Sequence, residues 1–119
     1  DLGYDIFADE DVVLSHSEYK LISTGISIFT SSYKHGFIIK DRSSMAVKGL
    51  FSHAGVIDSG YRGEVKICLH NTAKDDYRIE RGDRVAQILI QPITQIELKE
   101  VADLDNTERG GEGFGSSGK

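Results

Sequence analysis

Several features that mark whole classes of protein are scarce in this sequence. Its 119 residues include a single cysteine and a single proline. Cys68 alone cannot form an intrachain disulfide, and the four histidines are too scattered for zinc-finger spacing. No apolar run exceeds three residues, well short of a membrane span or the hydrophobic stretch of a signal peptide. Basic residues are outnumbered 14 to 19, giving a net charge of −5, the opposite of a protein that coats nucleic acid. Neither nucleic acid nor membrane is therefore expected as a partner. A reducing cytoplasm is the expected compartment, with the nucleus also open to a eukaryotic or viral protein. The length allows one domain with a modest core, which oligomerisation would reinforce.

Glycine is present in quantity. There are 13, five of them between Gly110 and Gly118. Elsewhere apolar residues come in short bursts with no 3.6-residue period. Ile26 and Ile28, and Val65, Ile67 and Leu69, alternate with other residues; Val12–Leu14, Phe37–Ile39 and Ile88–Ile90 are compact runs. Turn residues separate them, as at Ser15-His16-Ser17, Ser31-Ser32, Asp58-Ser59-Gly60 and Arg81-Gly82-Asp83. Such spacing predicts an all-β sandwich or barrel, since no gap is long enough for a crossover helix. One short helix is expected around Ser43–Lys48, capped by Ser43 or Ser44 and ended by Gly49. Residues 1–105 would form the β-domain, and 106–119, with only Phe114 to bury, a mobile tail.

Charge is unevenly spread. Residues 1–11 hold five acids and no base, whereas residues 34–84 hold ten bases against seven acids, a local +3. A cationic centre in an acidic chain suits a small anionic ligand.

Four segments could carry chemistry. Asp41-Arg42-Ser43-Ser44-Met45-Ala46 gathers a guanidinium, two hydroxyls and the amides of a helix start, which together suit a phosphate. Gly55-Val56-Ile57-Asp58-Ser59-Gly60-Tyr61-Arg62-Gly63-Glu64 reads as a hairpin-like turn, with Gly55 allowing close approach to the backbone and Asp58 available as a base. Gly82-Asp83-Arg84-Val85-Ala86-Gln87 leads into an apolar strand, so Arg84 or Gln87 needs a partner or faces a cleft. Arg109-Gly110-Gly111-Glu112-Gly113-Phe114-Gly115-Ser116-Ser117-Gly118 could wrap phosphates but lacks the spacing of a Walker loop. Read singly, each also fits a plain structural element: a capped helix, a turn, an edge strand, a disordered tail.

Their order and spacing resemble the five motifs of the trimeric dUTP diphosphatase (dUTPase) family, from Gly3-Tyr4-Asp5-Ile6 to the glycine-rich tail. The resemblance implies a jelly-roll-like β-barrel with one short helix, forming a homotrimer with active sites at subunit interfaces. It also implies a further N-terminal strand upstream of Asp1. The implied reaction is hydrolysis of dUTP to dUMP and diphosphate with Mg²⁺, which limits uracil in DNA and supplies dUMP. By motif match, Asp58 would activate water, assisted by Gln87 and Arg109. Arg42, Ser43, Ser44 and Ser116 would bind phosphates, with Gly115 beside them. The backbone of Gly55, Val56 and Ile57 would pair with uracil, Tyr61 would stack under the deoxyribose, and Phe114 would close over the base. Asp5 would act on the metal indirectly, through water. Leu2, Gly60, Glu112 and Ser117 depart from the family's usual residues without removing a group the chemistry needs. Two other readings stand beside this one. A dCTP deaminase-like enzyme of the same fold would require a catalytic glutamate such as Glu64, and a dUTPase-like nucleotide-binding regulator would act through partners.

Overall fold

A computed structural model describes residues 1–118; Lys119, the last residue of the expected tail, lies outside the described residues. Nine strands and one helix follow in the order β1 (Tyr4–Phe7), β2 (Val12–Leu14), β3 (Tyr19–Ser23), β4 (His35–Lys40), α1 (Ser43–Ala46), β5 (Leu50–His53), β6 (Val56–Ile57), β7 (Lys66–Asn71), β8 (Tyr77–Ile79) and β9 (Arg84–Pro92). They make a four-stranded sheet β1-β9-β4-β6, a three-stranded sheet β3-β7-β5 and a pair β2-β8. Every pairing is antiparallel.

One core joins all three sheets. Ile6, Phe37, Ile39, Ala86 and Ile88 reach it from the first sheet, Ile22, Leu50, Ile67 and Leu69 from the second, and Leu14 and Ile79 from the third. Met45 plugs it from the helix. The period-2 alternation of β7 is clean, with Ile67 and Leu69 buried between more exposed neighbours, as one covered face requires. Asn71 is fully buried and fully engaged. Its amide donates to the Leu14 and Asp75 carbonyls, both at 2.9 Å, and its Oδ1 accepts from the Ala73 amide. Left unpaired, such a group would cost about 1–3 kcal/mol.

The all-β expectation holds, and the apolar runs Val12–Leu14, Phe37–Ile39 and Ile88–Ile90 lie in strands. Three details differ. Ile26 and Ile28 alternate but form no strand; the segment is tied down singly, by the Val65 amide on the Ile26 carbonyl at 2.8 Å. The helix is capped by Arg42, without a side-chain hydrogen bond, instead of by Ser43 or Ser44. Arg42 is the residue with extended backbone (φ −87°, ψ 138°), and its carbonyl takes the Met45 and Ala46 amides at 3.0 Å. Gly49 closes the turn as expected, at φ +85°. Finally, Asp58–Tyr61 is a turn, with the Tyr61 amide on the Asp58 carbonyl at 3.1 Å, but not a hairpin. The strand before it, β6, pairs with β4, while the one after it, β7, belongs to the other sheet.

Regular structure ends at Pro92, and all of residues 93–118 are exposed. The chain's radius of gyration is 18.6 Å, against about 13–14 Å for a compact domain of this length. The difference reflects a projecting arm that displays Ile93, Ile96, Leu98, Val101 and Leu104 to solvent. No described helix is long and apolar enough to cross a membrane.

Candidate active site

The strand register explains the first cluster. Asp5 on β1 stands opposite Gln87 on β9, which stands opposite Lys40 on β4. Their neighbours Ile6, Ala86 and Ile39 face the core, so alternation turns Asp5, Gln87 and Lys40 outward together. Arg42, just beyond β4, folds back over this face. Its Nε donates to Asp5 Oδ1 at 3.2 Å and its Nη1 to Ser44 Oγ at 3.1 Å. Arg84 reaches the other oxygen of Asp5 at 3.6 Å. Gln87 donates through Nε2 to the Asp41 carbonyl at 2.9 Å, and its Oε1 lies over Gly3, where a Cβ would collide with it. A polar cleft results, lined by Asp1, Leu2, Gly3, Asp5, Arg42, Ser43 and Gln87. The backbone amides of Ser43 and Ser44 have no acceptor among the described residues and are free donors at its edge.

Asp41 anchors the cluster from beneath. Its Oδ1 accepts from both the amide and the hydroxyl of Ser52, each at 2.6 Å, fastening the end of β4 to β5. That fixes the residue from which Arg42 departs.

The second cluster surrounds β6, the edge strand of its sheet. The Gly55 carbonyl accepts from the Ile39 amide at 2.7 Å, and the Ile57 carbonyl lies against Gly36. Alternation therefore leaves the N–H and C=O of Val56 on the open edge. This edge borders a mainly apolar cleft of about 340 Å³, at the small end for ligand pockets, lined among others by Leu21, Gly55, Val56, Ile57, Asp58 and Tyr61. Tyr61 is held by its hydroxyl, which donates to the Glu64 carbonyl at 2.7 Å, and its ring lies against Gly63. Asp58 is exposed beside it.

Gly55 has a structural role of its own, beside the ligand approach expected from sequence. Its φ is +105°, and a Cβ there would meet the Ile39 carbonyl oxygen at 2.9 Å. The glycine is required by the chain's own strand pairing, whatever approaches from outside. Gly60 has no positive φ, and a Cβ added there would meet nothing within 4 Å, so the turn does not need it.

Arg109, Phe114, Gly115 and Ser116 sit apart from both clefts. Arg109 donates to the tail's own Glu112 and Gly113 carbonyls at 3.2 and 3.4 Å, and Phe114 is fully exposed. Every hydrogen bond of residues 107–118 stays within the tail. One chain thus brings together Asp5, Arg42, Ser43, Ser44 and Gln87, and separately Gly55, Val56, Ile57, Asp58 and Tyr61, but does not join the groups.

Comparison with known proteins gives these clusters a family. The dUTPase family model matches residues 1–118. The chain belongs to the dUTPase family. A deoxyuridine 5'-triphosphate nucleotidohydrolase of Paramecium bursaria Chlorella virus 1 is 47% identical over 117 residues, covering 98% of this chain and 82% of the relative. One from Candida albicans is 44% identical over 120 residues, covering 98% and 75%. Among solved structures, the dUTPase of Staphylococcus bacteriophage 80alpha with dUPNHPP superposes with a TM-score of 0.92 at 33% identity, over 100% of this chain and 87% of that one. A dUTPase variant of the Staphylococcus aureus phage phi11, described for its coordination of a structural Mg(II) ion, superposes at 0.81 with 30% identity, covering 89% and 86%.

Asp41 and Arg62 lie within or beside the dUTPase motifs, where sequence alone gives them no role, and Arg84, expected only to need a partner or face a cleft, finds that partner in Asp5. Arg84 acts on Asp5, and Asp41 seats Arg42 through its bonds to Ser52. Leu21, a wall of the second cleft, gives no signal in sequence, because only the β3–β7 pairing brings it there.

Proposed function

We propose that this chain is a dUTP diphosphatase, cleaving dUTP to dUMP and diphosphate. The observation that carries the reading is the open backbone edge of Val56 beside Tyr61 and Asp58. Uracil presents an N3–H donor next to carbonyl acceptors and can pair with that edge as a strand would. Cytosine has an acceptor at N3 and would leave the peptide groups mismatched, a fault that supports discrimination of ~10⁴-fold. A close backbone approach excludes the 5-methyl of thymine. Tyr61, tethered to Glu64, would lie under the deoxyribose and leave no partner for a 2′-hydroxyl.

The chemistry then follows from charge. Asp58 accepts a proton from water as the water oxygen attacks the α-phosphorus. The bond to the bridging oxygen breaks, and diphosphate leaves with the electron pair. A positioned carboxylate base is worth ~10²–10⁴ in rate. Arg42, the amides and hydroxyls of Ser43 and Ser44, Gln87 and Arg109 offset the negative charge on the phosphates. Among the described residues, Asp1 and Asp5 are the only carboxylates lining the polar cleft, and no cluster of three or more ligands could cage a metal. That set fits Mg²⁺, which keeps its waters and takes phosphate oxygens plus one or two carboxylates. Bound on the triphosphate, Mg²⁺ would supply further charge neutralisation, with Asp5 ordering its water shell.

Three copies would complete the enzyme. The two clefts share no lining residue, and the arm from Ile93 to Leu104 exposes five large apolar side chains. In a homotrimer, the arm would be covered and each site would combine clefts from different copies, with the tail of residues 106–119 closing over it. The setting we propose is the cytoplasm, or the nucleus of a eukaryotic host.

The test is purified protein with Mg²⁺ against dUTP, dCTP, dTTP and UTP, with diphosphate and ammonia scored separately. Diphosphate from dUTP alone is expected. Ammonia from dCTP would move the chain to the deaminase branch, but the Glu64 carboxylate is already engaged by the Thr24 and Gly25 amides at 3.2 and 3.0 Å. Binding without turnover would favour the regulatory reading.

A further inference from the structure

We infer that Arg62 is a positioning residue, a clamp that fixes the Asp58–Tyr61 turn onto the strandless segment 24–33, and that it does not bind phosphate. Its Nη1 donates to the Ser59 carbonyl at 2.8 Å and to the Tyr61 carbonyl at 3.2 Å, holding both sides of the turn's last peptides. Its guanidinium carbon lies 5.0 Å from the Phe29 ring centroid and 5.9 Å from that of Tyr33. Both distances are within cation–π range. The rings belong to the stretch that begins with the strand-like alternation of Ile26 and Ile28 but pairs with no strand.

Arg62 is the outermost of three ties between the same two segments. The Glu64 carboxylate receives the Thr24 and Gly25 amides. Val65 and Ile26 share a backbone bond, and the Thr24 hydroxyl donates to the Val65 carbonyl at 2.5 Å. Those two ties hold the loop's far end, near β7. Between them and β6, among the described residues, Arg62 makes the only cation–π contact from the turn to a second element, and no hydrogen bond or ion pair joins the two there. Without it, Asp58 would hang on a loop fixed at its ends, with Tyr61 kept by its own bond to the Glu64 carbonyl, and small displacements of positioned groups are costly in rate. The guanidinium's planar faces and fork make this possible, and an ammonium has neither.

This inference rests on the proposed function for its kinetic consequence, though not for its structural one. The experiment compares Arg62→Lys, which keeps the charge, and Phe29→Leu, which keeps Arg62 but removes a ring. Hydrogen exchange of residues 58–62 is read alongside dUMP affinity, inhibition by inorganic diphosphate, and kcat and KM for dUTP. Arg62→Lys is expected to speed exchange in that turn and weaken dUMP binding about tenfold, with diphosphate inhibition unchanged. Phe29→Leu should do the same more weakly, about threefold, and add little to Arg62→Lys in the double variant. Unchanged exchange or unchanged dUMP affinity in Arg62→Lys overturns the clamp, as does a selective loss of diphosphate inhibition, which would make Arg62 a phosphate ligand. A parent protein that leaves dUTP intact would sink the proposed function, while the exchange measurement would still decide the clamp.

Discussion

Replacing Gly55 by alanine tests whether the open edge of β6 is built by backbone conformation. At φ +105° an alanine is strained, and its Cβ would stand 2.9 Å from the Ile39 carbonyl oxygen and 3.3 Å from the Ile39 Cβ. Both neighbours belong to a central strand, so β6 must give way. Backbone strain of this kind costs ~1–3 kcal/mol. Moving β6 also weakens the 2.7 Å bond from the Ile39 amide to the Gly55 carbonyl, worth about 1 kcal/mol. The sum, roughly 2–4 kcal/mol, is a large part of a typical domain stability of about 5–15 kcal/mol. At ~4 °C per kcal/mol for a chain of this size, the midpoint of thermal unfolding should fall about 8–16 °C. Because the proposed assembly would make Tm depend on concentration, parent and variant must be compared at one protein concentration. Turnover of dUTP, assayed well below the new midpoint, should fall about a hundredfold as the Val56 peptide is displaced. Gly60→Ala supplies the contrast, since that site is open and unstrained, and a change within about 0.5 kcal/mol is expected. If Gly55→Ala melted with the parent, or if Gly60→Ala melted as early, the account of β6 would be wrong.

Two other perturbations bear on the chemistry. Asp58→Asn should retain affinity for dUPNHPP but lower kcat by ~10²–10⁴; undiminished release of diphosphate would remove Asp58 from its role. Deletion of residues 106–119 should leave the melting curve close to the parent's, because residues 107–118 bond only among themselves among the described residues. It should nevertheless cost about 10²-fold in kcat through loss of Arg109 and the closing segment. A truncated enzyme with full turnover would leave the tail no catalytic part.

Local chemistry made part of this molecule legible from its residues. Apolar runs such as Phe37–Ile39 read as strands, and the segment ending at Gly49 read as a short helical turn, although its cap is Arg42 and not Ser43 or Ser44. What stayed hidden depends on partners distant in sequence. Ile26 and Ile28 have the alternation of a strand, but Glu64 and Val65 engage the segment one bond at a time, and no ladder forms. The hairpin expected at Asp58–Gly60 failed for a similar reason: turn residues specify a reversal but not which sheet receives the chain afterwards. Within the site, motif order located the residues, while their grouping came only from register. Asp5, Gln87 and Lys40 lie far apart in sequence and side by side on one face. Asp41 was visible as a member of a motif, but its bonds to Ser52, which seat Arg42, were not.

The edge position of β6 also bears on which changes the protein tolerates. Val56 is 79% exposed, and it lines the cleft along its open peptide edge. The proposed contact with the base is made by main-chain atoms that every residue but proline carries. Substitution at position 56 can alter size, charge or polarity and leave the hydrogen-bonding pattern as it was, with proline the one exception because it has no N–H. The proposed main-chain selectivity would therefore be insulated from most substitutions at position 56 itself, while depending on neighbours such as Gly55 that set where the strand edge lies.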